Sequence, residues 1–261
     1  MRPAPGHPTP PTIAVAIPCF NEAAAIGPVI AEWRAARPDA EIVVFDNNST
    51  DGTGDRARAL GVRVVPVPRQ GKGHAVLAIF ETLADRPAVV LIDGDGTYPA
   101  SEVGALLAPV LTGRADMVVG ARRPVAEPGA MSPVRGLGNL LIRGAFRVLI
   151  GPGPGDLLSG YRVFSPRFLA AVRPRSSGFE IETELAAEAV ARGLSTVEVP
   201  VPYRPRIAGT RSKLRAGRDG LRILRTIAAQ GLRLRPWRIL TLAAAVVAAL
   251  AAIGWAAGAF A

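Results

Sequence analysis

The segment Asp93-Gly94-Asp95 sets two carboxylates two residues apart with a glycine between them. Hard oxygen donors at that spacing can address one divalent cation together with the phosphates it carries. The segment is not an EF-hand, because its twelfth loop position is Gly104 where a bidentate glutamate is required. Gly71-Lys72-Gly73-His74 places a lysine among glycines, but the glycine spacing and the following Ser/Thr of a P-loop are missing. No G-x-G-x-x-G follows the first apolar run, which removes the dinucleotide fingerprint. Cys19 is the single cysteine, so neither a disulfide scaffold nor a cysteine-spaced metal site is available. His74 has no second histidine nearby and reads as a helix-start residue rather than a ligand.

These residues need a frame, and the chain alternates short β-rich runs with longer helical ones. Strands are expected over 12–17, 41–46, 62–67, 88–93, 116–120 and 196–201, with helices over 22–36, 73–84, 101–112, 134–149 and 179–192. Near-continuous apolar strands separated by helices predict an α/β fold, a mostly parallel sheet covered on both faces. Ligands of such sheets bind beyond the carboxyl ends of the strands. Polar clusters stand at those ends: Pro18-Cys19-Phe20-Asn21-Glu22, Asp46 through Thr53, Gln70 through His74, and Asp93 through Pro99. Each alone is what turns and helix caps use. Their recurrence at the same end of successive strands points to a shared site.

Ile17-Pro18-Cys19-Phe20-Asn21-Glu22, the run from Asp46 to Thr53 and Asp93-Gly94-Asp95 resemble family 2 glycosyltransferases of the GT-A (Rossmann-like) fold. Ser159-Gly160-Tyr161-Arg162, Gly178 through Leu185, and Tyr203-Arg204-Pro205-Arg206 with Ser212-Lys213-Leu214 resemble its polyprenyl-phosphate branch, the dolichol-phosphate mannose synthase-like enzymes. The resemblance covers roughly residues 12–235 and departs at Thr97, where the branch often has Gln. It implies metal-dependent, inverting transfer of a hexose from a UDP- or GDP-linked sugar to polyprenyl phosphate at the cytoplasmic membrane face. Mg²⁺ or Mn²⁺ would be held by Asp95, with Asp93 as a metal or ribose partner. Pro18, Asn21, Glu22 and Asp46 would line the base and ribose pocket, with Asp51 and Lys72 nearby. Arg206 and Lys213, with Arg204, would reach a diphosphate or lipid phosphate.

A lipid phosphate is largely ionised near neutrality, its second pKa being ~6, so it needs positioning and charge screening more than a base. Arg122, Arg135 and Asn139 fit that task, the last two lying one turn apart on the next helix. By resemblance, two arginines and a small polar residue contact acceptor phosphate in this region. The other reading of Arg135, with Arg143 and Arg147, is a solvated helix face. Glu182 stands where other family 2 enzymes carry a base carboxylate. Its alternative role, with Glu180 and Glu184, is favourable negative charge at a helix N-terminus.

The charge is unevenly placed. The chain has a formal net charge of +10, and residues 201–238 alone account for it, with 11 basic groups and the single acid Asp219. A nucleic-acid-coating protein is therefore not expected, since the basic groups form one short segment with its own partner. From Ser212, Arg215, Arg218, Arg222 and Arg225 make a charged stripe and Leu214, Leu221, Leu224 and Ala228 an apolar one, the layout of a helix lying on anionic lipid. Residues 239–261 carry no charge, and 23 positions at about 1.5 Å each span a ~30 Å hydrocarbon layer, so one membrane helix is expected. Eleven of those residues are Ala, and Gly254 and Gly258 also suit helix pairing in a homo-oligomer. The expected organisation is a disordered lead-in over 1–11, a catalytic domain over 12–210, a basic amphipathic helix over 211–236 and a membrane helix over 237–261. The basic flank places the catalytic domain in the cytoplasm. Two alternatives stand beside this reading: a membrane-tethered transferase with a soluble or glycan acceptor, and a non-catalytic nucleotide-sugar-binding subunit.

Overall fold

A computed structural model describes residues 12–124, 133–210, 213 and 216–258. The first strand, β1 (Ala14–Cys19), runs into α1 (Ala23–Ala36), followed by β2 (Glu41–Asp46), α2 (Thr53–Ala59), β3 (Arg63–Pro66), α3 (Lys72–Thr82) and β4 (Val89–Leu91). After a 3-10 turn over 100–102 come α4 (Val103–Leu111), β5 (Met117–Pro124) and α5 (Pro133–Leu149). The second half continues with β6 (Arg162–Phe164), α6 (Pro166–Ala171), α7 (Ile181–Arg192) and β7 (Thr196–Tyr203). Two helices follow, α8 (Ala216–Leu234) and α9 (Pro236–Gly258).

The strands form one sheet in the order β3-β2-β1-β4-β6-β5-β7, parallel throughout except for β6, which runs antiparallel to both neighbours. Apolar runs dictate the centre. Ala14, Val15, Ala16 and Ile17 are fully buried, because the pleat sends Val15 and Ile17 to one core layer and Ala14 and Ala16 to the other. One layer packs α1 and α4 through Ile26, Ile30, Trp33 and Leu106; the other packs α3 and α7 through Val76, Ile79, Ile181 and Leu185. A third cluster joins α5, α7 and α8 through Ile142, Phe146, Ala187, Ile223 and Ile227. Chain order reverses between β1 and β4, which opens a crevice at their carboxyl ends.

The expected strands and helices all form, but three elements exceed the sequence reading. β6 has three residues and opens with Arg162, which leaves only Val163 and Phe164, too short an apolar run to announce a strand. The α2 segment, TGDRARA, has no apolar periodicity. In α6, Ser165 caps six residues, its hydroxyl accepting from Phe168 N. At the carboxyl terminus the expectation needs correction: among the described residues no helix is long and apolar enough to cross a membrane. Residues 259–261 of the expected span, and the lead-in 1–11, lie outside the described residues.

Candidate active site

A cavity of about 350 Å³ fills the crevice between β1 and β4. Of the residues singled out in the sequence, Pro18, Glu22, Lys72, Asp93, Asp95, Arg122, Glu182, Arg206 and Lys213 line it. Each is delivered by a strand end or by the first turn of a helix. β1 hands over Pro18 to Glu22, β4 is followed directly by Asp93 and Asp95, α3 opens with Lys72, and α7 opens next to Glu182. Glycines let these segments approach. A Cβ at Gly94 would stand 2.6 Å from Cys19 Sγ, one at Gly73 1.7 Å from Ser176 O, and one at Gly160 2.2 Å from Asp93 Oδ2. Only glycine allows these contacts without a shift.

Electrostatically the cavity is a set of matched pairs. Lys72 Nζ sits 2.6 Å from Asp93 Oδ1 and 2.5 Å from Glu182 Oε1, deep in the pocket. Burial alone would lower the lysine's proton affinity, but the charges of Asp93 and Glu182 outweigh it and hold the ammonium well above its usual range. Asp95 is buried; its Oδ1 accepts from Thr97 N at 3.0 Å and Thr97 Oγ1 at 2.7 Å, while Oδ2 pairs with Arg206. Glu22 pairs with Lys213, which also donates to Asn21 O at 3.0 Å. Burial pushes the Glu22 carboxyl up against the opposing pull of Lys213. Its Oε2 is buried without a hydrogen-bond partner, an acceptor left to be satisfied.

Arg122 closes the other side. Its guanidinium meets Asp156 in a two-point pair (Nε–Oδ2 2.8 Å, Nη2–Oδ1 2.7 Å) and lies 5.5 Å from the centre of the Tyr203 ring. Burial acts to raise the Asp156 carboxyl, but the hydrogen bonds and charge of Arg122 outweigh it and hold the carboxyl below the usual carboxylate range; the residue had no signal in its Gly- and Pro-rich loop. Because its folded pKa is lowered, its contribution is fully present above the unfolded value of about 3.9 and is lost as pH falls through the folded value. Asp156→Asn is therefore expected to cost about 2 kcal/mol at pH 7 in urea melts, with the gap to the native chain closing below about pH 4. A gap that stays constant down to pH 3 would contradict this.

Other singled-out residues are placed elsewhere. Asn21, at φ +52, accepts from Thr50 N at 2.8 Å and ties the β1 end to the β2 loop. Asp46 accepts from Ser49 N at 3.2 Å and packs on Gly54. Asp51 is spent on Thr53 and on Ala23 N at 3.0 Å, capping α1 and α2. Arg204 turns to Glu32 of α1 at 3.1 Å. None of these four lines the cavity. Arg135 and Asn139 lie on α5; the Arg135 side chain is outside the described residues, and half-buried Asn139 is not part of the lining.

The lining also includes residues of the sequence motifs that had been given no role of their own: Asn47, Tyr98, Phe179 and Tyr203. Asn47 organises the loop before α3, donating to Arg69 O at 2.8 Å and accepting from Gly71 N at 2.7 Å. Tyr98 accepts from Gly160 N at 3.0 Å and packs edge-on against Tyr203. Cys19 is not a nucleophile, since burial and then the charges of Glu22, Asp46, Asp93 and Asp95 push its thiol up and keep it protonated.

Two carboxylates alone do not enclose a cation, and no group of three metal-ligating side chains occurs among the described residues. As hard oxygen donors, Asp93 and Asp95 suit a Mg²⁺- or Mn²⁺-type ion only where further ligands are supplied from outside the protein. A wider hollow of about 530 Å³ lies at the amino end of β7, around Pro152, Glu198, Arg235 and Arg238. It has no carboxylate pair, so volume does not locate the chemistry.

Residues 14–133 match the family model for glycosyl transferase family 2. The chain is 39% identical over 213 residues to glycosyltransferase AglJ of Haloferax volcanii, covering 82% of this chain and 70% of that protein. It is 34% identical over 203 residues to dolichyl-phosphate hexose transferase of the same organism, covering 76% and 86% respectively. Among solved structures, glucosyl-3-phosphoglycerate synthase of Mycobacterium tuberculosis, in complex with Mn²⁺, UDP-glucose and phosphoglyceric acid, is similar with a TM-score of 0.66 at 29% identity. That likeness covers 85% of this chain and 79% of the synthase.

Proposed function

The chain belongs to glycosyl transferase family 2 and is a hexosyltransferase, and from that premise we propose that it moves a hexose from a nucleotide sugar to polyprenyl phosphate. The observation that carries the donor half is the Asp93/Asp95 pair at the β1/β4 crevice, ringed by Lys72, Arg206 and Lys213. The acceptor half is supported by the relative named for dolichyl phosphate.

In such a transfer the bond from the anomeric carbon to the diphosphate oxygen breaks, and a bond to an oxygen of the acceptor phosphate forms. The electron pair leaves with the nucleoside diphosphate. Asp93 and Asp95 would hold a divalent cation, which when bound neutralises the charge developing on that leaving group. Arg206 and Lys213 supply further positive charge on the segment after β7. Glu22 Oε2 accepts from the nucleoside. The acceptor phosphate is itself the nucleophile, so no base has to take a proton from it. Glu182, paired to Lys72, then serves to fix the lysine that positions Asp93. Arg122 orients the acceptor, because Asp156 and Tyr203 hold its planar fork and leave it N–H groups to offer.

The same reading puts the enzyme at the cytoplasmic face of a membrane. α8 turns Ile223 and Ile227 into the protein while Leu221, Leu224, Arg218 and Arg225 stay exposed. Exposed Leu140, Leu141 and Val148 on α5 and Trp237, Leu240, Leu242 and Val247 on α9 add apolar surface next to it. Apolar side chains interleaved with arginines suit an anionic lipid surface.

A second reading is a soluble phosphorylated acceptor, favoured by the neighbour bound to phosphoglyceric acid. The purified chain, in mixed micelles with Mn²⁺ and a panel of labelled UDP- and GDP-hexoses, separates the two. Polyprenyl phosphate is expected to draw label into the organic phase. Label transferred only to 3-phosphoglycerate, or to no lipid with any donor, would sink the lipid-acceptor reading.

A further inference from the structure

We infer that Arg206 makes cation and nucleotide binding interdependent, by occupying Asp95 until a diphosphate draws its guanidinium away. The inference rests on the reading of Asp95 as a cation ligand.

Without substrate, every oxygen of Asp95 is engaged. Oδ1 accepts two hydrogen bonds from Thr97, Oδ2 is paired with Arg206, and even its backbone oxygen accepts from Ile207 N at 3.2 Å. Asp93 is engaged too, with Lys72 on Oδ1 and the Gly160 backbone crowding Oδ2. A cation arriving alone must displace a guanidinium from a buried carboxylate and leave that guanidinium beside the ion, where like charges repel. A cation arriving with a diphosphate gives Arg206 a new anionic partner, and the exchange becomes nearly even.

The backbone is arranged for such a swap of the side chain alone. The strand-end segment is pinned by Arg204 N to Thr97 O (2.8 Å) and by Ile207, which fills the space over Gly96. The Arg206 side chain is itself one-third exposed, so its long stem can turn toward the cavity while the segment stays put. Lys72, by contrast, is locked between two carboxylates and cannot make this exchange. By linkage, nucleotide must raise cation affinity by the same factor by which the cation raises nucleotide affinity.

Mn²⁺ binding to the full chain, followed by electron paramagnetic resonance of the free ion with and without UDP or GDP, tests this without any turnover. Arg206→Gln is expected to bind Mn²⁺ about fivefold more tightly than the native chain in the absence of nucleotide, and the gain from adding nucleotide should shrink. Unchanged or weaker nucleotide-free Mn²⁺ binding in Arg206→Gln would overturn the inference. Asp95→Asn separates the two levels: it is expected to lose nucleotide-dependent Mn²⁺ binding. If it keeps that binding, the ligand assignment under the proposed function fails, and the coupling falls with it.

Discussion

Asp95→Asn is expected to lower kcat by about a thousandfold while the protein melts within a few degrees of the native chain. Asn keeps the size of the side chain and an oxygen for Thr97 N and Oγ1, which bond Oδ1 at 3.0 and 2.7 Å. The backbone bond to Ile207 N is untouched. The lost pair with Arg206 is partly exposed and is worth little to stability, about 1 kcal/mol or less. On the proposed function, what disappears is the negative charge that would hold a cation against the leaving diphosphate, and a single electrostatic contact of that kind is worth about 4 kcal/mol at the transition state. Steady-state kinetics with saturating Mn²⁺ and a melting curve check both halves. A kcat within tenfold of native would remove Asp95 from the chemistry.

Lys72→Met should affect fold and activity together. The lysine bridges Asp93 and Glu182 at 2.6 and 2.5 Å with little solvent access, and methionine leaves two carboxylates facing each other without a cation. Breaking a buried pair from one side costs about 3–5 kcal/mol, or about 6–20 °C in melting temperature for a chain of this size. Activity should fall at least about a hundredfold, because Asp93 loses the contact that aims it. The pH dependence follows from the direction of the shift. In the native chain the Lys72 pKa is raised, so its contribution is complete below the unfolded value of about 10.4 and is lost only as pH rises through the folded value. Native stability should therefore show no Lys72-linked change between pH 6 and 9. A variant as stable as the native chain at pH 8 would show that the triad is not a structural unit.

The cavity at the strand ends was legible because its signals are local. Strand ends bearing Asp93-Gly94-Asp95 and Pro18 to Glu22 needed only the α/β alternation to be placed together, and the crevice between β1 and β4 does so. Asn21, Asp46 and Asp51 share the same polar chemistry but are consumed by backbone N–H groups of loops and helix ends, as turns and caps commonly consume Asn and Asp. Sequence alone does not tell a carboxylate that caps a helix from one that faces a ligand. The partners of the cations were hidden for a different reason. Asp156 reaches Arg122 across 34 positions, and Arg206 finds Asp95 only because β7 returns to the far edge of the sheet and its exit crosses the β4 loop. β6 was invisible because it has only three residues and begins with Arg162; that guanidinium is buried, donating hydrogen bonds to Leu157 O and Ser159 O. The basic segment is evident from composition, but the division of labour within it is set by the fold. Arg206 and Lys213 turn into the cavity, while Arg218 and Arg225 stay outside it, exposed on α8.

The claim that a hexose is passed to a phosphate oxygen has one direct measurement, the identity of both products after a single incubation with nucleotide sugar, Mn²⁺ and polyprenyl phosphate. Mass spectrometry of the organic phase should show polyprenyl phosphate heavier by one hexose residue, and the aqueous phase should contain nucleoside diphosphate in equal amount. Nucleoside monophosphate in the water, with a polyprenyl diphosphate sugar in the lipid, would mean transfer of a sugar phosphate and would contradict the account.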